Sequence, residues 1–302
     1  IADYIGRYDV PGSEALDKLD DLLNQGRQLR YFARPLTKRG MVEKLTLASY
    51  ANEVAPTFVA ITAEVGEGAP ASGPAKSDKS AAAPNFQWGA GLKVLILGGG
   101  ASHDYNRWFN EADVKILNAA GGISANYTET TGGLADVIAG VDVLIVSNNK
   151  PFTDDATKQA IVKHIENGKG FIGLHPGLWY NWKDWPEYNR VLVGGGSRGH
   201  DKFAEFDVVA ADGAHPVVAG VPEKFTIKDE LYWFEPDTTG TPIKVLATAY
   251  SPSKNKDFPQ VFIVQHPKAR VVGLTLGHDG EAHNHAAYIR LLRNSVLWVG
   301  RK

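Results

Sequence analysis

The chain has 302 residues, 43% of them apolar and 22% charged, with a formal net charge of −2 and a pI near 6.5. That length suits two ordinary domains or one large α/β domain with an appendage, and the near-neutral charge gives no electrostatic ground for nucleic acid or an anionic membrane as partner. No apolar run reaches the roughly 20 residues of a bilayer span, and the absence of cysteine excludes disulfides, thiolate metal sites and cysteine nucleophiles together.

The sequence starts at Ile1 rather than at methionine. A cleaved signal peptide is one account of this, so a periplasmic or secreted location is expected, with the cytoplasm as alternative. From Ser13 the pattern predicts helices: Leu16, Leu19 and Leu23 share a stripe, the pattern continues through 27–33, and Thr37 can cap a second helix to about 51. Residues 1–63 therefore read as an N-terminal helical segment. Its narrow stripe needs a surface to pack on, the main domain or another copy, which leaves a homo-oligomer open. Residues 64–86 are small, polar and proline-broken, the composition of a flexible linker.

From residue 87 to 302 the period changes to α/β alternation. Strands are expected at 92–97, 123–128, 141–146 and 169–174, with helices over 108–120, 134–139 and 153–167. Strands alternating with helices imply a mostly parallel sheet with helices on both faces. Further on, a short helix is expected at 188–193, a flexible glycine loop at 194–200, and strand-like runs at 203–210, 225–234, 243–249, 260–265 and 270–276. A last helix, 286–299, closes the chain.

Ligands in such sheets sit beyond the carboxyl ends of the parallel strands. Gly173-Leu174-His175-Pro176-Gly177 has the spacing of a strand-to-helix elbow that lifts its central side chain above the sheet, here an imidazole. The first strand leads to His103, the third to Asn148 and the last to His278, so three histidines converge on one edge. Gly98-Gly99-Gly100 lacks the spacing of a phosphate loop, and no nucleotide cofactor is expected.

At these residues the chain resembles the trehalose-utilisation (ThuA-like) family. The resemblance lies in the Gly173-Leu174-His175 elbow, Leu192-Val193-Gly194-Gly195 with Gly199-His200, Asp212 with His215-Pro216-Val217, Lys228-Asp229-Glu230-Leu231-Tyr232, and Leu276-Gly277-His278. It runs from about residue 93 to the C-terminus. It implies a flavodoxin-like, class I glutamine-amidotransferase-like three-layer sandwich and a role in sugar metabolism, particularly of oxidised (3-keto) glucosides. Enzymes with that amidotransferase fold place a cysteine at the elbow. With histidine there, glutamine hydrolysis through a thioester is excluded, and acid–base work or metal ligation remains.

The acid–base reading puts His175, His278, Glu230 and Asp229 in the catalytic roles. A 3-keto group acidifies its neighbouring C–H, so a positioned base can start elimination or isomerisation. Asp229 and Glu230 are adjacent and point to opposite faces if strand-like, a poor pair for ordinary glycoside hydrolysis. His103, Asn148, Trp179, His200 and Tyr232 are the expected substrate-binding residues, with Trp182 and Trp185 extending a sugar-stacking wall. The metal reading uses His103, His175, His200 and Glu230 around a divalent ion, and a non-catalytic sugar-binding protein is the third reading. His164 is expected on a solvated helix face, and His215 and His266 at turns.

Overall fold

Alternation of apolar side chains in short runs dictates the architecture. The computed structural model describes residues 84–180 and 185–301, together with three short strands nearer the N-terminus. The chain divides into two units, 1–75 and 76–302. In the first, β1 (Ala2–Asp3), β2 (Glu14–Ala15) and β3 (Gln28–Tyr31) pair antiparallel in the order β1-β3-β2. The expected helical segment is corrected at these positions. Gln28-Leu29-Arg30-Tyr31 alternates polar and apolar residues, the period of a strand. The rest of that expectation, and linker residues 64–83, lie outside the described residues.

In the second unit the strands are β4 (Leu92–Leu97), β5 (Ile123–Thr128), β6 (Val143–Val146), β7 (Gly170–Leu174), β8 (Gly195–His200), β9 (Ala204–Ala210) and β10 (Lys224–Asp229). They are followed by β11 (Tyr232–Pro236), β12 (Ile243–Ser251), β13 (Lys256–Val264) and β14 (Val271–Leu274). Nine of them form one sheet in the order β10-β9-β12-β13-β14-β7-β6-β4-β5. The five from β14 to β5 are parallel, and the four from β13 outward are antiparallel. The chain leaves β4 for β5 on one side and returns to β6 on the other, so the strand order reverses between β4 and β6.

The two faces separate by strand period. In β4, Val94 and Ile96 point into a core with Phe109, Leu117, Tyr288, Leu292 and Val296. Leu95 and Leu97 point into the opposite core with Ile138, Ile161, Ile165 and Tyr188. All four β4 side chains are at most 1% exposed, and each contributes about 1.5–3 kcal/mol by burial. The helices that supply these partners make the domain a three-layer α/β sandwich.

The helices are α1 (Val114–Asn118), α2 (Ala135–Gly140), α3 (Asp155–Glu166), α4 (Gly280–His283) and α5 (Ala286–Val299). A wide π-type turn, Asn106–Asp113, leads into α1 and carries Asp113 inward. Asp154 caps α3 by accepting the Thr157 N–H at 2.6 Å, which satisfies one of the free donors of the first turn. His164 on α3 is a correction. It is 3% exposed, with its ring nitrogens 3.3 Å from the Ile138 carbonyl and 2.9 Å from the Gly170 carbonyl, so it ties helix to sheet. His285 caps α5 through the Ala287 N–H, and His215 and His266 accept backbone N–H groups at turns. The expected loop at 194–200 is instead β8, paired with β11 in a two-stranded ribbon. Glycines make that pairing close: a side chain at Gly199 would occupy the place of the Trp233 ring.

Candidate metal centre

The elbow after β7 is built by small residues. A Cβ at Gly173 would lie 2.6 Å from the Leu178 side chain, and one at Gly177 would overlap the Val146 carbonyl. Between them His175 takes φ +39°, in the left-handed region, and starts a short 3₁₀ turn, His175–Leu178. Such a backbone costs a non-glycine residue about 1–3 kcal/mol and persists where the surroundings hold it. A Gly177→Ala chain must move the elbow off β6. We expect it to lose about 1–3 kcal/mol in denaturant unfolding, and an unchanged midpoint would contradict the packing described.

Four side chains from four separate segments meet beside this elbow. One donor atom each from His103, His175, Glu230 and His278 lies within 4.8 Å of the others. His175 Nε2 is 3.0 Å from His103 Nε2 and 3.7 Å from Glu230 Oε2, and His278 Nδ1 is 3.1 Å from the same carboxylate oxygen. His278 Nδ1 is buried and makes no aligned hydrogen bond. His175 and His103 meet as a hydrogen-bonded pair, and His278 Nδ1 is the group's buried nitrogen without one.

Burial and the neighbouring imidazoles set the charges. His175 is fully buried, and burial, with His103 close by, holds it well below the usual imidazole range. Burial and then His278 lower His103 to about 4. Both rings are therefore neutral at neutral pH, the form that ligates metals. Burial opposes the charge on Glu230, but the polar contact with His278 and the nearby His200 and His103 outweigh it and hold the carboxyl below its ordinary value. The Glu230 carboxylate in turn raises His278. Three imidazoles and one carboxylate form a donor set suited to a first-row divalent metal, since calcium and magnesium prefer all-oxygen surroundings.

The His175 ring is fixed from two sides. His175 Nδ1 donates to the Thr275 carbonyl at 2.5 Å, which leaves Nε2 bearing the lone pair. Tyr232 stacks on the same ring, with centroids 4.4 Å apart. Asp229, expected among the catalytic groups, is wholly buried and is not one of the four converging side chains. Its carboxylate accepts the backbone N–H groups of Gly277 (2.8 Å), His278 (3.1 Å) and Glu230 (2.8 Å), so it joins the ends of β10 and β14. Burial raises this carboxyl to about 6, against those three N–H groups. Its role is positioning.

The expected metal set differs from this group in one member, with His278 inside and His200 at its margin. His200 Nε2 is 3.6 Å from Glu230 Oε1, and the ring is partly exposed. Trp179 is half-buried beside His200 and Tyr232, with ring centroids 6.0 and 5.3 Å away. Tyr232, 2% exposed, backs His175 and offers a sugar almost no surface. Asn148 is fully buried, with neither polar side-chain atom hydrogen-bonded. Trp185 is 7% exposed and belongs to the core, and Trp182 lies outside the described residues. Sequence reasoning also missed the His283–Asp113 pair behind the site, joined at 2.7 Å with both side chains fully buried. An acid on the inward side of the 106–113 turn was its only signal.

The trehalose utilisation family, ThuA, matches residues 93–299, more than half of the chain and including all four converging side chains. The chain belongs to the ThuA family. Among solved structures it is similar to ThuA-like proteins from Parabacteroides merdae, at 21% identity and TM-score 0.60, and Bacteroides uniformis, at 22% and 0.59. These matches cover 70% and 72% of this chain and 90% and 94% of the other. A cytoplasmic protein from Salmonella typhimurium matches at 15% identity and TM-score 0.51, over 70% of this chain and all of that one. At such identities the likeness is one of fold. No curated protein matches. Membership of ThuA places the chain in a carbohydrate-related family, and no helix among the described residues is long and apolar enough to cross a membrane.

Proposed function

We propose that this ThuA-family chain is a carbohydrate-acting enzyme whose centre is a divalent transition metal held by His103, His175, Glu230 and His278, with a 3-keto-glycoside as substrate class. The observation that carries the reading is the convergence of these four donor atoms within 4.8 Å, at the carboxyl edge of the parallel strands. An ion there would act as a Lewis acid on the sugar carbonyl and so acidify the adjacent C–H. The chain's own residues supply the proton transfer. His200 donates Nδ1–H to the Asp201 carbonyl at 2.7 Å, which leaves Nε2 free to take a proton, with Glu230 3.6 Å away to stabilise the cation formed. As the C–H bond breaks, a C=C bond forms and the glycosidic C–O bond breaks. The leaving oxygen then takes the proton back from His200 Nε2. Trp179 supports the sugar ring through C–H contacts.

The test is elemental analysis of the purified full chain together with turnover of a 3-keto-glucoside panel followed by mass spectrometry. Stoichiometric metal, turnover lost with chelator, and a His175→Ala chain lacking both are expected. Full turnover in chelated protein or in His175→Ala would end the metal reading, and no turnover across the panel would end the substrate assignment.

A further inference from the structure

His103 has a nitrogen-bonding problem that a single hydroxyl resolves. Its Nε2 lies 3.0 Å from His175 Nε2, and His175 has its only proton on Nδ1, committed to the Thr275 carbonyl. His175 Nε2 is therefore an acceptor. For the two rings to face each other without an ion, His103 must carry its proton on Nε2 and accept at Nδ1. The atom beside that Nδ1, at 2.6 Å, is the Ser102 hydroxyl oxygen. Asn149 Nδ2 donates to the same oxygen at 2.5 Å, and the Tyr105 hydroxyl lies 3.1 Å from it.

We infer that Ser102 is a positioning residue whose hydroxyl sets the tautomer of His103, donating to Nδ1 while His103 bonds His175 and accepting from Nδ1 when His103 turns its lone pair toward an ion. Both states close the bookkeeping. In the first, Asn149 and Tyr105 donate to the serine oxygen, the serine proton goes to His103 Nδ1, and His103 Nε2–H goes to His175. In the second, the proton moves from Nε2 to Nδ1, His103 Nδ1–H and Asn149 donate to the serine oxygen, and the serine proton rotates to Tyr105. A hydroxyl both donates and accepts, so serine or threonine can serve both states and alanine neither. The first state stands on the chain alone, and only the second rests on the metal reading.

The experiment is long-range ¹H–¹⁵N spectroscopy of the full chain with labelled histidine rings, metal-free and then titrated with zinc. Metal-free wild type is expected to show His103 protonated at Nε2, and zinc to move that proton to Nδ1. Ser102→Ala should lose the tautomer preference and weaken zinc binding about 10–100-fold, as loss of a ligand's supporting partner does. Ser102→Thr should restore both. A Nδ1–H tautomer in metal-free wild type overturns the inference, as does an unchanged tautomer and zinc affinity in Ser102→Ala. If wild type takes up no zinc the metal reading fails, while the metal-free spectra of the three proteins still decide the role of Ser102.

Discussion

Replacing Asp113 by alanine is expected to cost about 3–5 kcal/mol, the range for breaking one side of a buried ion pair. Asp113 Oδ1 is 2.7 Å from His283 Nδ1, and Oδ2 accepts the Tyr288 hydroxyl at 3.0 Å. His283 Nε2 is 3.1 Å from the Gly277 carbonyl. A carboxylate and a carbonyl only accept, so the ring must donate from both nitrogens and is an imidazolium. Alanine would leave that cation and a tyrosine hydroxyl in the core without their partner. For a domain of this size each kcal/mol moves Tm by roughly 2–4 °C, which thermal unfolding reads directly. A loss below about 1 kcal/mol would show that the pair is not charged. The pH dependence carries a definite sign. Burial opposes the charge on His283, but the Asp113 carboxylate outweighs it and raises the imidazole above its ordinary value. The pair's contribution is therefore complete below the unfolded imidazole value of about 6.5 and is lost as pH rises through the folded value. Asp113→Ala should abolish that part of the alkaline decline.

Zinc at one hundred times its Kd is expected to stabilise the folded chain by about 2.7 kcal/mol, and Glu230→Ala to abolish the gain. Glu230 is the only carboxylate in the four-residue group, and its Oε2 faces both His175 and His278. Loss of a residue that merely supports a ligand weakens binding about 10–100-fold, so loss of the anionic ligand itself should exceed that range. Thermal unfolding with and without zinc, for wild type and Glu230→Ala, makes the comparison. Equal shifts in both proteins would place the ion elsewhere.

The parallel half of the sheet was legible because β4, β5, β6 and β7 are short apolar runs bounded by turn residues, and buried strands of that kind need no other signal. His103, His175 and His278 were legible because each lies in the segment that follows a strand of the parallel half, β4, β7 or β14, and so reaches the ligand-binding edge. Glu230 was harder. It follows β10, which has four strands between it and β7, and that order is set by long-range pairing. Both Asp229 and Glu230 were expected in the site, whereas only Glu230 belongs to the converging group. The glycine run at 194–200 misled because glycine marks both loops and close approaches, and here it serves β8 against β11. His164 misled because a polar residue on a helix reads as solvated unless the partner carbonyls, here those of Ile138 and Gly170, are known.

The left-handed backbone at His175 is held by the packing of its own ring. Glycine there would release about 1–3 kcal/mol of backbone strain, but it would empty a fully buried site and delete the bond to the Thr275 carbonyl and the stacking on Tyr232. Buried large-to-small changes cost about 2–5 kcal/mol, so the loss exceeds the gain. A screen that rewards thermostability alone would therefore retain this histidine, and its retention by itself would say nothing about chemistry.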